Sequence, residues 1–238
     1  MRYLLKNSNQ NCLSSEVRLD WNRGGVAGPA GPAGPAGPAG PAGPAGNSSS
    51  YANSQIKNIC GEDGKTACAI GLRGPGGGIV FMTPASQGNS SGRFFEAAPS
   101  TWYSDSGVDP ASAWCNYSNI QMGMGVSVGQ GGMDGASRTE LMTGLCITGA
   151  ANLADEYQIS RNGVLYGDWF LPSRAELNQM FNNRVAIGGF TNWATAYQYY
   201  WSSTEIDAYF AWQQSFETGN QGGYEKFGIY SVRPIRSF

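Results

Sequence analysis

The 238-residue chain contains no histidine. That removes the commonest general base and the commonest nitrogen ligand for a metal ion. Ser-His-Asp and Cys-His catalysis and histidine-ligated zinc are therefore excluded. Charge is scarce as well: Asp, Glu, Lys and Arg make up 13% of residues, about half the usual share of a globular protein. After residue 46 there are 11 Lys and Arg against 15 Asp and Glu, a net −4, so nucleic acid and anionic membranes are poor partners. The five cysteines form no Cys-x-x-Cys pair, which argues against zinc. No stretch is long enough to span a bilayer, so direct membrane insertion is not expected. The apolar run in the N-terminal MRYLLKNSNQ is three residues long, too short for a signal peptide. Either an export signal has been trimmed from the chain or it leaves the cell another way, as a phage structural protein does at lysis.

What is abundant is glycine in strict period. From Gly25 to Gly46 every third residue is glycine, and six consecutive triplets read Gly-Pro-Ala. In a collagen triple helix three polyproline-II chains wind round an axis where only glycine fits. The tract thus predicts a homotrimer. A flexible Pro/Gly linker is the competing reading, but strict period and proline at every X position from Pro29 to Pro44 favour the rod. Its seven triplets from Gly25 span about 60 Å at roughly 3 Å per residue. A rod so short, with no charged Y position, needs a folded domain beside it to trimerise.

The organisation that follows is a short N-terminal segment (1–24), a collagen-like stalk (25–46), a neck (47–73) and a head (74–238). Cys60 and Cys68 bracket the turn-rich GEDGKTA and suit a small disulfide, while Cys115 and Cys146 suit a bridge between distant loops. Cys12 is left over, free or bridging chains. Such pairing fits an oxidising, extracellular setting, on a bacterial surface or a phage virion.

Within the head, GPGGGIVFMTP (74–84) reads as a glycine turn running into an apolar strand, and FFEAAP (94–99) as a second strand. Thr139–Leu145 and Ala150–Tyr157 have helical apolar spacing. Ser173-Arg174-Ala175-Glu176 is a capping box opening a helix to about Asn182, with Leu177, Met180 and Phe181 as its core stripe. Strands are expected at Tyr199–Ser203, Tyr209–Phe216 and Gly228–Arg236, the last at an edge or bent because of Pro234. Between them ETGNQGGYEK reads as turn.

In order, GPGGGIVF, FFEAAPSTW, WFLPSRAELNQM, YWSSTE and AWQQSF…VRPIRSF resemble the C-terminal domain family of the Legionella collagen-like adhesin, over residues 74–238. That resemblance implies a C-type-lectin-like α+β fold: a mixed or antiparallel sheet, two or three helices, and first and last strands side by side, GGIVF next to SVRPIR. The Glu-Pro-Asn, Gln-Pro-Asp and Trp-Asn-Asp motifs of calcium-dependent lectins do not occur, so no cofactor is expected, and a structural calcium ion is left open. No cysteine follows Cys146, which rules out the late cysteine pair of formylglycine-generating enzymes of similar fold. The chain also resembles the variable proteins of diversity-generating retroelements, which share that fold. Adenine-directed mutagenesis there scatters Asn codons into Tyr, Ser, Phe, Asp, Ile and Gly near the C-terminus.

On that resemblance the ligand-binding, diversified surface comprises Asp207, Tyr209, Phe210, Gln213, Ser215, Glu217, Gly222, Gly223, Tyr224, Glu225, Phe227, Gly228, Ile229 and Ser231. These positions are scattered between fixed-looking Trp201, Ala211-Trp212, Phe216 and Val232-Arg233-Pro234. Trp201, Trp212 and Phe216 are expected in the core. Aromatic residues among Gly, Ser and Gln have the composition of a paratope; ordinary packing of half of them is the competing reading. The functional expectation is a trimeric, non-enzymatic adhesin or receptor-binding protein with a cell-surface protein or glycan as ligand. The alternatives are a purely structural trimerising fibre protein and a glycan-active enzyme using Glu205, Asp207, Glu217 and Glu225.

Overall fold

The computed structural model describes residues 59–62, 64–123, 132–190 and 198–238. All belong to one unit of the chain, Gly46–Phe238. The N-terminal segment, Cys12, the collagen-like stalk and residues 47–58 of the neck lie outside the described residues. Along the chain run β1 (Ile59–Cys60), β2 (Thr66–Ala67), β3 (Ile79–Met82), β4 (Phe95–Ala97), β5 (Ala111–Ser112), α1 (Gly135–Leu145), α2 (Ala150–Asp155), β6 (Ile159–Arg161) and β7 (Val164–Tyr166). There follow α3 (Arg174–Asn182), α4 (Arg184–Ile187), β8 (Tyr199–Glu205), β9 (Phe210–Ser215), β10 (Gln221–Glu225), β11 (Tyr230–Ser231) and β12 (Ile235–Ser237). The head is α+β, with four helices among the described residues rather than two or three.

A five-stranded sheet has the order β10-β9-β8-β11-β5, and a three-stranded sheet the order β12-β4-β3. The larger one is mixed: β11 lies parallel to β8 while the other pairs are antiparallel. Two antiparallel ribbons, β1-β2 and β6-β7, complete the set. The expected neighbours GGIVF and SVRPIR are not adjacent; β4 pairs with both β3 and β12 and lies between them. The single last strand read over Gly228–Arg236 is two strands in two sheets, with Pro234 at the crossing. Proline has no N–H to give a ladder, so the chain changes sheets there.

Cys60, Cys68 and Leu72, assigned to the neck, pack as part of the head. Cys60 is buried with Val80 and Phe238, and the Gly61 N–H donates to the Arg73 carbonyl at 2.8 Å. Cys60 is bonded to Cys68 and Cys115 to Cys146. The second bridge closes a loop of sequence separation 31, a constraint on the unfolded chain worth on the order of 3 kcal/mol. Two main cores lie beside the sheets. One gathers Trp114, Trp169, Trp201, Met142 and the alanines of α2; the other gathers Phe81, Phe95, Phe170, Leu177, Met180, Tyr200 and Phe216.

The glycines of GPGGG have a close-packing reason. Glu96, buried in β4, accepts from the N–H groups of Gly76 and Gly78, each at 2.9 Å, and from Arg236 Nη1 at 2.9 Å. A Cβ at Gly76 would lie 2.7 Å from the Glu96 carboxylate, and one at Gly78 would strike the Ala97 carbonyl. The loop is an anion cradle that the protein fills with its own carboxylate. Burial pushes the Glu96 carboxyl up, opposed by Arg236 and the two glycine N–H groups.

The capping box at α3 forms as read. Ser173 N donates to Glu176 Oε2 at 2.7 Å and Glu176 N to Ser173 Oγ at 3.2 Å. Burial pushes the Glu176 carboxyl up to about 7, against hydrogen bonds from Ser173 and Gly135 and with a further push from Asp134. Between pH 4.5 and 7 the folded protein holds a proton here that the unfolded chain releases. This contribution to stability is full below the unfolded value and is lost as pH rises through about 7. At about 1.4 kcal/mol per pH unit it amounts to about 3 kcal/mol. Denaturant titrations across this range should show a shallower pH slope for Glu176→Gln than for wild type; identical slopes would refute the assignment.

Candidate functional site

The sequence-predicted residues fall in the β8–β11 half of the larger sheet. The β8–β9 hairpin closes through Asp207, whose Oδ1 accepts from the N–H of Tyr209 at 2.8 Å and of Phe210 at 2.9 Å. This turn leaves Tyr209 and Phe210 on its outside. β10 then pairs with β9, setting Gly222 opposite Gln213, Gly223 opposite Trp212, Tyr224 opposite Ala211 and Glu225 opposite Phe210. The stretch read as turn thus contains a five-residue edge strand. At Gly223 a Cβ would meet only the flexible tip of the Ile206 side chain, which can shift.

Past β10 a tight turn carries Phe227, Gly228 and Ile229. Gly228 N donates to the Glu225 carbonyl at 2.8 Å, and Lys226 N to the Tyr209 carbonyl at 2.9 Å. Lys226 itself points inward. Its Nζ donates to Glu205 Oε1 at 2.6 Å and to the Ile120 carbonyl at 2.8 Å, and both charged side chains are fully buried. The same Glu205 oxygen accepts from Met122 N at 2.8 Å. An internal ion pair therefore holds the corner where the two turns meet.

Five large apolar side chains are exposed on this corner: Tyr209 (58%), Phe210 (38%), Tyr224 (44%), Phe227 (61%) and Ile229 (50%). Glu217, Gly223 and Glu225 are exposed too, and Asp207, Gly222 and Gly228 are half-buried. Gln213, Ser215 and Ser231 are buried, a correction to their place in the surface set: these side chains do not reach solvent. Gln213 and Ser215 lie on β9, between β10 and β8, and Ser231 on β11, between β8 and β5, all inside the sheet rather than at its edge.

The ring of Tyr224 packs against Tyr199 (centroids 6.1 Å) and Tyr230 (5.2 Å), and Tyr230 packs edge-on to Trp201 at 4.8 Å. Tyr224 is therefore an exposed ring on a rigid aromatic base. Gln213 lies between Trp201 and Gly222 across the sheet, and its Oε1 has no hydrogen-bond partner among the described residues. Trp201 and Phe216 are in the core as expected. Trp212 is not: it is half-buried, and the Arg174 guanidinium lies 3.5 Å over its ring. Arg174 Nε also donates to Gln221 Oε1 at 2.8 Å. The cations nearest the corner are thus engaged within the protein, and its exposed charges, Glu217 and Glu225, are acidic.

Two of the four acids of the enzymatic alternative are engaged within the protein. Glu205 is buried against Lys226, and Asp207 holds its turn. Among the described residues no group of three or more His, Cys, Asp and Glu is placed to hold a metal ion. Nor is any helix among them long and apolar enough to cross a membrane. A cavity of about 370 Å³ lined by Arg93, Asp134, Ser137 and Glu176, among others, includes none of the sequence-predicted residues. The buried ion pair behind the surface escaped sequence reasoning, although a lone lysine inside an aromatic, charge-poor segment was its signal. No family model matches this chain, and no curated protein matches it either.

Proposed function

We propose that the chain is a trimeric ligand-binding protein, an extracellular adhesin or receptor-binding tip whose β8–β11 corner recognises a cell-surface protein or glycan. One observation carries the reading. Five large apolar side chains stand exposed within one stretch of 21 residues, Tyr209 to Ile229, on a base of paired strands and an internal ion pair. A scatter of single exposed apolar residues needs no explanation, whereas a cluster marks an interaction surface. Rigid aromatic anchors beside glycines and acids suit a paratope-like contact. The Gly-Pro-Ala tract supports the homotrimer, and the two disulfides fit an oxidising setting. The ordered motifs, with the α+β architecture, support membership of the C-type-lectin-like family named above. The exposed positions among Asp207–Ile229 support a diversified surface. An adenine-rich template repeat and a reverse-transcriptase gene beside this gene would test that last part.

The binding reading is tested by probing arrays of cell-surface glycans and proteins with the labelled full chain. Wild type should bind a discrete set. Tyr224→Ala with Phe227→Ala should lose at least ten-fold in affinity for that set, at unchanged oligomeric mass, since central aromatics dominate such contacts. Equal binding by the variant would remove this corner as the site. No binding by wild type would favour the purely structural fibre protein.

A further inference from the structure

We propose that the outer edge of β10 is the line on which the ligand docks, and that the ligand is a polypeptide whose extended, basic segment pairs there as a further strand of the five-stranded sheet. The proposal rests on the ligand-binding reading above and narrows it from a protein or glycan to a protein.

β10 closes one side of its sheet, with β9 as its single neighbour strand among the described residues. Bonds at the two ends of the β9–β10 pair fix which backbone groups point where. Ser215 N donates to the Asn220 carbonyl and Lys226 N to the Tyr209 carbonyl, each at 2.9 Å. In an antiparallel pair the bonded positions alternate, so Gly222 and Tyr224 bond inward, to Gln213 and Ala211. The N–H and carbonyl of Gln221 and Gly223, and the N–H of Glu225, then face away from β9. Such a row of donors and acceptors is matched by another polypeptide strand, whereas a sugar chain has no such repeat. Natural edge strands are blunted by lysine, proline, a bulge or shortness. β10 reads QGGYE over five residues and keeps a regular register with β9. The opposite edge of the sheet, β5, has two residues, and the edge strand β3 of the smaller sheet carries a register shift.

The side chains along this edge select a basic segment. Gly222 and Gly223 leave the middle of the strand bare on both faces, so a second backbone can come alongside. Gln213 lies directly opposite Gly222, and its Nε2 would be 3.6 Å from a Cβ there. The amide therefore reaches over Gly222 toward the edge. Gln213 is 4% exposed, and its Oε1 has no hydrogen-bond partner among the described residues. A buried acceptor left open is costly. A lysine or arginine side chain crossing Gly222, from a strand about 4.8 Å beyond it, supplies the donor. The exposed ring of Tyr224, next along the same face, offers that cation an aromatic surface. Glu225 adds an exposed carboxylate that forms no ion pair among the described residues. The cations beside β10 are engaged within the protein, Lys226 by Glu205 and Arg174 by Trp212 and Gln221. The edge thus attracts a basic strand and repels an acidic one.

The test pans the full chain against a phage-displayed library of random linear dodecapeptides. Enriched peptides should carry Lys or Arg between apolar residues. A synthetic copy of the best binder is then N-methylated at every second residue, in each of the two possible registers. One register removes the N–H groups that face β10 and should weaken binding at least ten-fold, while the other should bind as the parent does. The bound peptide should slow hydrogen exchange at the Gly223 N–H at least ten-fold, a protection that docking on the sheet face would not give. Glu225→Lys should weaken the parent peptide several-fold, and equal binding would remove the basic character assigned to the partner. No enriched peptide, equal binding by both N-methylated forms, or an unprotected Gly223 N–H overturns the edge proposal. In those cases binding to a cell-surface glycan array leaves the ligand-binding reading standing. Silence toward both peptides and arrays removes that reading as well. Protection of Gly223 that rises with protein concentration alone would assign the edge to a second copy of this chain and overturn the proposed partner.

Discussion

Replacing Asp109 with alanine is expected to destabilise the head by about 3–5 kcal/mol, the cost of leaving a buried charge without its partner. Asp109 is buried and accepts four hydrogen bonds. Trp102 Nε1 (2.8 Å) and Arg233 Nε (2.5 Å) donate to Oδ1, and Tyr200 Oη and Arg233 Nη2 (2.7 Å each) donate to Oδ2. Arg233, equally buried, spends its other donors on the carbonyls of Ala98 at 3.1 Å and Gly189 at 2.5 Å. The pair thus joins β11–β12, β8, the segment after β4 and the loop after α4 at one point. Alanine removes the acceptor and strands the guanidinium, together with a tyrosine hydroxyl and an indole N–H. For a domain of this size the midpoint of thermal unfolding should drop by roughly 10 °C. Asp109→Leu with Arg233→Met removes both charges and should cost less than the sum of the single changes. Calorimetry of the disulfide-intact protein checks both. An Asp109→Ala variant within 1 kcal/mol of wild type would show that this cluster is not a structural centre.

The legible parts of this fold were those with local causes. Ser173 and Glu176 sit three apart before an apolar stripe, and both halves of the capping box form. Cys60 and Cys68 flank a turn and bond as read, and Cys115 and Cys146 pair across the remaining interval. What escaped depends on distant partners. β10 contains Gly222 and Gly223, poor strand formers, and is a strand because β9 offers it a ladder. Gln213 and Ser215 read as surface polar residues in sequence, but both lie on β9, between β8 and β10, and are buried. Trp212 was assigned to the core by its type, while its neighbour across space is a guanidinium rather than an apolar layer. Glu96, Asp109 and Glu205 look like ordinary surface acids in sequence. Each is buried against a basic residue from the last 13 positions of the chain: Arg236, Arg233 and Lys226. In a chain so poor in charge, two arginines inside the apolar VRPIR were the clue that charge had been kept for the interior.

The third of those pairs links stability to recognition, and Lys226→Met separates the two. Lys226 lies between Glu225 and Phe227, so the ion pair with Glu205 pins the turn that carries the exposed Phe227 and Ile229. Its Nζ also lies 4.9 Å from the Trp114 ring centroid and bonds the Ile120 carbonyl, tying the corner to the segment before residue 123. Methionine fills similar volume but strands the Glu205 carboxylate, and a loss of about 3–5 kcal/mol is expected. Adding Glu205→Gln neutralises the orphan while keeping an acceptor for the Met122 N–H. The double variant should recover at least half of the lost stability in denaturant titrations. Binding should not recover in step, because no charge then holds the turn against the sheet and its side chains must be ordered on contact with ligand. The expected pattern is a well-folded double variant with affinity still several-fold below wild type. Full recovery of both stability and affinity would show that the ion pair serves folding alone, with the turn held by its backbone bonds, Lys226 N to the Tyr209 carbonyl and Trp114 N to the Lys226 carbonyl.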